Sequence, residues 1–231
     1  MKRITVVDAA RGFAVILMVA YHFCFDLNYF GILHQDMNHD RFWLVSRALI
    51  VSLFLLLVGI SLVLASGTEP LHFWKRQARL LAAALIVTFG SWLMFPKSYI
   101  YFGILHFIFV ASLIGRPFLN FPQPALASGL FVIASGFYYS NPFFDPPFMN
   151  WIGLMTYKPY TEDYVPLFPW MGVVLIGIFT GKLLFERVRP AWVFGDFPSM
   201  KIPCRIGRHS LAIYLLHQPI LIGIFYLFVS R

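Results

Sequence analysis

The chain has 231 residues, 59% of them hydrophobic, 19% aromatic and only 12% charged, with a formal charge of +8. Soluble domains carry about 25% charged residues; together with a mean hydropathy of +0.74 this excludes a water-soluble globule, a disordered tail and a nucleic-acid reader. The composition predicts an all-α, polytopic membrane bundle, a single domain over residues 1–231 with little room for any soluble part.

Apolar runs stand at residues 12–33, 43–66, 78–95, 100–115, 124–140, 166–185 and 209–229, each about the length that a bilayer demands, the fourth being the shortest. The first run exceeds signal-peptide length and has no small-residue cleavage site, so it reads as the first span. Turn and charge signals separate the runs: His34 to Arg41, Gly67 to Pro70, Pro96, Arg116-Pro117, Asn141 to Pro147, and a long basic stretch from Arg187 to Arg208. The segment from Phe143 to Pro166, rich in proline and aromatic residues, reads as an ordered interfacial loop whose aromatics suit an interfacial belt. Cys24 falls in an apolar run and Cys204 in the basic loop, so no disulfide framework is expected.

Seven alternating spans with the N-terminus inside put Lys2, Arg3, Arg11, Lys75, Arg76, Arg79, Arg116, Lys182, Arg187, Arg189, Lys201, Arg205 and Arg208 on the inner side. The outer side then holds Arg41, Arg47, Lys97, Lys158 and Arg231. Thirteen cations to five obeys the positive-inside rule, and an even number of spans would scramble it. The expected topology is about seven spans, N-terminus inside and C-terminus outside.

Ionisable side chains inside spans are costly and mark sites by default. His22 and Asp26 are four residues apart and share a helix face. Counted from Arg11 at the inner surface, His22 lies about 16 Å up, near the midplane, and Asp26 about 6 Å further out. An Asp at this spacing can orient an imidazole and stabilise its protonated form; the plainer alternative is that both only hydrogen-bond neighbouring helices. Arg47 is placed to neutralise Asp26, His106 enters the fourth span from outside, and His217, followed closely by Pro219, lies in the inner half of the last span. The hexapeptide Tyr-Phe-Gly-Ile-Leu-His occurs at 29–34 and again at 101–106 without wider self-similarity, which puts His34 and His106 on the outer side. Inner-side clusters at Lys75, Arg76 and Arg79 and at Arg205, Arg208 and His209 suit a polyphosphorylated nucleotide or, more plainly, topogenic charge and lipid headgroups. Gly-rich phosphate loops, metal-ligand clusters and a nucleophile elbow are all absent from the sequence.

Asp8-Ala9-Ala10-Arg11-Gly12-Phe13-Ala14 with Met18 and Tyr21-His22 resembles the opening of the transmembrane acyltransferase superfamily. Tyr101 to Phe107, and Gly207-Arg208-His209-Ser210-Leu211 with Tyr214 and His217-Gln218-Pro219, are similar to its bacterial branch, which is related to heparan-α-glucosaminide N-acetyltransferase. The resemblance implies transfer of an acetyl group from cytoplasmic acetyl-CoA to a sugar or glycan acceptor across the membrane, with no metal. It implies a catalytic His eleven residues after the Arg of the opening, which is His22, oriented by Asp26, with His34 ranked second and His106 in support. Arg11, Arg76, Arg79, Arg205 and Arg208 are then the expected holders of the CoA phosphates. The expected setting is a bacterial inner membrane, with the lipid bilayer, the acyl-CoA donor and the acceptor as partners, a homodimer as an oligomeric option, and no nucleic acid. A small-solute or lipid-linked-sugar transporter is the competing class, since it too would use midplane His, Asp and Arg.

Overall fold

The computed structural model describes residues 4–190 and 200–229. Lys2, Arg3 and Arg231, which entered the charge reading, lie outside the described residues. Eight α-helices follow in order: α1 Thr5–Tyr29, α2 Arg41–Leu64, α3 Pro70–Met94, α4 Ile104–Gly115, α5 Pro122–Tyr138, α6 Leu167–Lys182, α7 Lys201–Arg208 and α8 Ser210–Val229. No strand occurs among the described residues.

Each of the seven apolar runs becomes a helix, and the breaks carry identifiable chemistry. Gly31 turns the chain out of α1 at a φ of 72°, a conformation that costs glycine nothing. Pro70 and Pro122 begin α3 and α5, where a missing N–H is harmless. The Asp163 carboxylate accepts the Ile104 N–H at 3.0 Å and so caps α4. Five helices are long and apolar enough to cross a membrane. With its following 3₁₀ turn α4 runs from Ile104 to Asn120, and α5 has 17 residues; at 1.5 Å per residue the latter reaches about 26 Å, short of a hydrocarbon core of about 30 Å. Outward-facing Leu85, Ile86, Phe89 and Leu93 on α3 and Leu216, Ile220 and Ile224 on α8 are exposed. That pattern suits hydrocarbon as the surrounding solvent.

The basic stretch before the last run contains a helix that the charge pattern concealed. α7 was expected to be loop, and Cys204 with it. Cys204 and Gly207 are instead buried, while Lys201, Arg205 and Arg208 face outward. Neither cysteine is in a disulfide, and the Cys204 thiol donates to the Thr5 carbonyl at 3.3 Å.

Two compact units divide the chain. The first comprises Met1–Phe54 and Arg189–Arg231, hence α1, the first half of α2, α7 and α8. Here α7 lies on the N-terminal part of α1 with backbone against backbone. A methyl carbon at Gly12 would come within 2.7 Å of the Pro203 carbonyl carbon, and one at Gly207 within 2.9 Å of the Asp8 carbonyl carbon. α1 and α8 run parallel, as the order of their contacts shows: Asp8 meets Arg208, His22 meets His217, and Phe30 meets Phe225 and Tyr226.

The second unit is Leu55–Val188. α6 is its spine. Gly172 and Gly129 let α6 and α5 approach antiparallel, and Gly177 and Gly59 let α6 and the second half of α2 approach in parallel. Packing through small residues is the usual solution where no water drives helices together. α3 and α4 form an antiparallel hairpin, and the loops before α4 and α6 are laced together at one end of the unit. Ser98 donates to Glu162, Thr161 to the Tyr99 carbonyl at 2.8 Å, and Tyr101 to Asn150 Oδ1 at 2.9 Å.

Candidate active site

In the first unit two polar layers sit along the parallel α1–α8 pair. The lower layer is built on Asp8, 12% exposed at its side chain. Its carboxylate accepts Arg11 Nη1 at 3.1 Å from one turn up α1 and Arg208 Nε at 3.3 Å from the end of α7. The opening motif and the Gly-Arg-His motif, about 200 residues apart, therefore form one structure. The two glycines permit it: only with Gly12 and Gly207 can α7 come close enough for Arg208 to reach Asp8. Arg11 is 25% and Arg208 46% exposed, and Arg205 and Lys201 on α7 are exposed beside them. Among the described residues, Arg11, Lys201, Arg205 and Arg208 gather here around Asp8. Arginines aligned by one carboxylate still present further N–H donors, which is the geometry that phosphate oxygens accept.

The upper layer holds His22, Asp26, His217 and Gln218. His22 Nδ1 donates to the Met18 carbonyl at 2.9 Å, and His217 Nδ1 donates to the Tyr214 carbonyl at 2.7 Å. A carbonyl can only accept, so both rings carry their proton on Nδ1 and their lone pair on Nε2. The ring centroids are 4.8 Å apart with planes at 75°. Tyr21 stacks edge-on against both His22 and Trp43, and Arg47 is near enough to act on the Tyr21 hydroxyl electrostatically.

Asp26 departs from expectation. Its carboxylate does not orient His22; it accepts Gln218 Nε2 at 3.0 Å, leaving Oδ2 buried with no hydrogen-bond partner. Arg47 forms no ion pair with it among the described residues. The ring of His22 is oriented by its own helix backbone, and Asp26 fixes α8 through Gln218.

The remaining expected site residues lie elsewhere. His34 is exposed in the α1–α2 loop. In that loop Asp36 accepts His39 Nδ1 at 3.0 Å, which lowers the Asp36 pKa below the ordinary carboxylate range. His106 belongs to the second unit, where both ring nitrogens serve the fold: Nδ1 accepts the Gly103 N–H at 3.3 Å, and Nε2 meets Thr88 Oγ1 at 3.1 Å while Thr88 donates to the Ile100 carbonyl. Arg76 and Arg79 start α3, also in the second unit, with Arg79 Nε donating to the Lys75 carbonyl at 3.3 Å. Arg116 covers the Phe73 ring at 4.4 Å, a cation–π contact. In the loops joined to this unit, burial raises the pKa of Tyr101 and of Tyr164, whose hydroxyl donates to the Asn150 carbonyl.

Sequence reasoning noted His217 but gave it no role, and Gln218 entered only as part of a motif. A signal for both existed: a His-Gln-Pro triplet inside an apolar run is three costly residues in a row.

Paired imidazoles on α1 and α8 thus lie above arginines aligned near one end of the same helices, an arrangement open to a membrane transferase and to a transporter alike. The catalytic-domain model of heparan-α-glucosaminide N-acetyltransferase matches residues 3–219, and the chain belongs to that family. This region runs through both units. No curated protein and no solved structure matches the chain.

Proposed function

We propose that the protein is a membrane-embedded acetyltransferase that takes an acetyl group from cytoplasmic acetyl-CoA and delivers it, with His22 as the reacting group, to a sugar or glycan acceptor on the far side. The observation that carries this reading is the vertical order of one helix pair: aligned arginines at the lower end and a basic imidazole nitrogen above them. From Arg11 to His22 is eleven residues, about 16 Å of helix, and from Arg208 to His217 nine residues, about 14 Å. A chain of about ten to fifteen extended atoms covers such a span at bond lengths near 1.5 Å, which fits the arm joining the CoA phosphates to its thioester.

Arg11, Arg205 and Arg208 hold the phosphates in this reading, with Asp8 aligning two of them. His22 Nε2 then serves either as general base toward the acceptor or as nucleophile on the thioester carbonyl. Tyr21 stands beside His22 as a candidate to stabilise the oxyanion, with Arg47 acting through Tyr21. Asp26 holds the Gln218 side chain, His34 is the second-ranked base, and His106 supports the start of α4. Arg76 and Arg79 form a separate cationic patch, to be tested on its own. Parallel α1 and α8 support an odd number of spans, because parallel first and last spans put the two termini on opposite sides; this reading takes seven spans, the N-terminus on the CoA side and the plasma membrane as the setting.

Calorimetry of the purified protein in nanodiscs tests this. Micromolar acetyl-CoA binding that weakens with salt and drops about tenfold or more in Arg11→Ala/Arg208→Ala supports the reading. Absence of binding by folded protein, with solute flux into liposomes lacking acetyl-CoA, would replace it with the transporter class.

A further inference from the structure

The reaction above needs one imidazole, yet two lie in contact in the first unit. His22 and His217 come from different helices, at a centroid distance of 4.8 Å, each pinned through Nδ1–H to a backbone carbonyl of its own helix. This pinning makes Nε2 the basic atom of both rings, so neither can donate to the other while both are neutral. Each can instead act on the same small reacting centre. The Asp26–Gln218 hydrogen bond, at the residue next to His217, ties the backbone of α8 to α1 at this level and holds the pair in register.

We infer that the two histidines divide the reaction: His22 takes the acyl group and His217 is the base that deprotonates the acceptor. The inference rests on the acetyltransferase reading. In the first half, His22 Nε2 bonds to the thioester carbonyl carbon, the carbon–sulfur bond breaks, and CoA leaves as the thiolate while His22 becomes an Nε2-acetylimidazolium that keeps its Nδ1 proton. In the second half, the acceptor hydroxyl or amine attacks the acetyl carbon and gives its proton to His217 Nε2. The carbon–nitrogen bond breaks and its electron pair returns to His22. The proton on His217 finally neutralises the CoA thiolate, so charge and atoms balance.

A single catalytic His would have to serve as nucleophile and then as base while its own Nε2 is blocked by the acetyl group. Its Nδ1 could not substitute, because that atom is occupied in holding the Met18 carbonyl. A second imidazole on the neighbouring helix removes this conflict. It also gives chemistry to His217, a costly ionisable residue inside a span.

The test separates the two halves with His217→Gln, and with His217→Asn, whose amide can keep the hydrogen bond to Tyr214. Purified protein in nanodiscs receives radiolabelled acetyl-CoA; acetyl-protein, free CoA and acetylated glucosamine are measured, with water and hydroxylamine as alternative acceptors. The expected result is acetyl-protein formation within about threefold of wild type in a variant of unchanged melting behaviour. Discharge to water or glucosamine should fall about 100-fold or more, while hydroxylamine, a nucleophile that needs no base, discharges wild type and variant at equal rates. Discharge at the wild-type rate in both variants would overturn the inference and leave the acetyltransferase reading standing. Equal loss of both half-reactions in a folded variant would also overturn it. If wild type releases no CoA and forms no acetyl-protein, the acetyltransferase reading fails and the division of labour falls with it.

Discussion

Replacing Gly12 by alanine puts the α1–α7 contact to the most direct physical test. The added carbon would stand 2.7 Å from the Pro203 carbonyl carbon and 3.0 Å from its Cα, with the carbonyl oxygen closer still. Carbon atoms pack at about 3.5–4.0 Å, so α7 must retreat by about 1 Å. Backbone offers no rotamer by which to yield. Overpacking of this kind costs about 1–3 kcal/mol. The same retreat takes Arg208 Nε, now 3.3 Å from Asp8 Oδ2, beyond 4 Å; with Arg208 46% exposed, that pair adds at most about 1 kcal/mol. The expected destabilisation of the α7 docking is about 1–4 kcal/mol, or roughly a 5- to 1,000-fold rise in the undocked population. Limited trypsin cleavage at Lys201 and Arg205, in nanodiscs, reads that population, because proteolysis follows local opening. Gly90→Ala is the control: nothing lies within 4 Å of its added carbon, and a helix gains slightly from alanine. Cleavage of Gly12→Ala at the wild-type rate, with unchanged melting, would refute the docking argument.

Further expectations follow from the same contacts. Asp8→Asn should loosen both arginines and weaken acetyl-CoA binding about three- to tenfold despite raising the local positive charge, because orientation is lost; tighter binding, measured by calorimetry, would show that charge alone matters. Tyr164→Phe removes the hydrogen bond to the Asn150 carbonyl and should cost about 1–2 kcal/mol in thermal unfolding. Because the Tyr164 pKa is raised in the fold, its contribution is complete below the ordinary phenol value of about 10 and is lost as pH rises above it. Ultraviolet titration should therefore show tyrosines that ionise only after the exposed ones, and one fewer of these in Tyr164→Phe. His106→Ala should destabilise the second unit by about 1–3 kcal/mol through its two lost ring contacts, read as a lower melting temperature, whereas Arg79→Ala should leave stability within about 1 kcal/mol of wild type because Arg79 is exposed.

The helices were legible because a bilayer imposes length and apolarity, and all seven apolar runs became helices of the structure. α7 read as loop because it sits in a basic stretch broken by Pro203 and Gly207, although Lys201, Arg205 and Arg208 at i, i+4 and i+7, with Cys204 and Gly207 buried between them, keep a helical period. The site was legible in depth but not in pairing. Asp26 stands four residues beyond His22, but helical side chains lean toward the N-terminus, so the His22 ring reaches back to the Met18 carbonyl instead. The repeated hexapeptide shows the limit of local sequence. At 29–34 it ends α1, with Gly31 at positive φ, and at 101–106 it begins α4, with Gly103 at the N-cap. Flanking residues decide: an apolar run precedes the first copy, and Asp163 caps the helix that starts within the second.

In the proposed reaction His22 carries the acetyl transfer. Release of CoA from acetyl-CoA by nanodisc-embedded protein, compared between wild type and His22→Ala, tests it most directly. The account predicts turnover by wild type and a fall of about 100- to 10,000-fold in His22→Ala, with acetyl-CoA binding retained at the Arg11–Arg208 end. Turnover by His22→Ala at the wild-type rate would contradict the account, as would a folded wild-type protein that binds acetyl-CoA and never releases CoA.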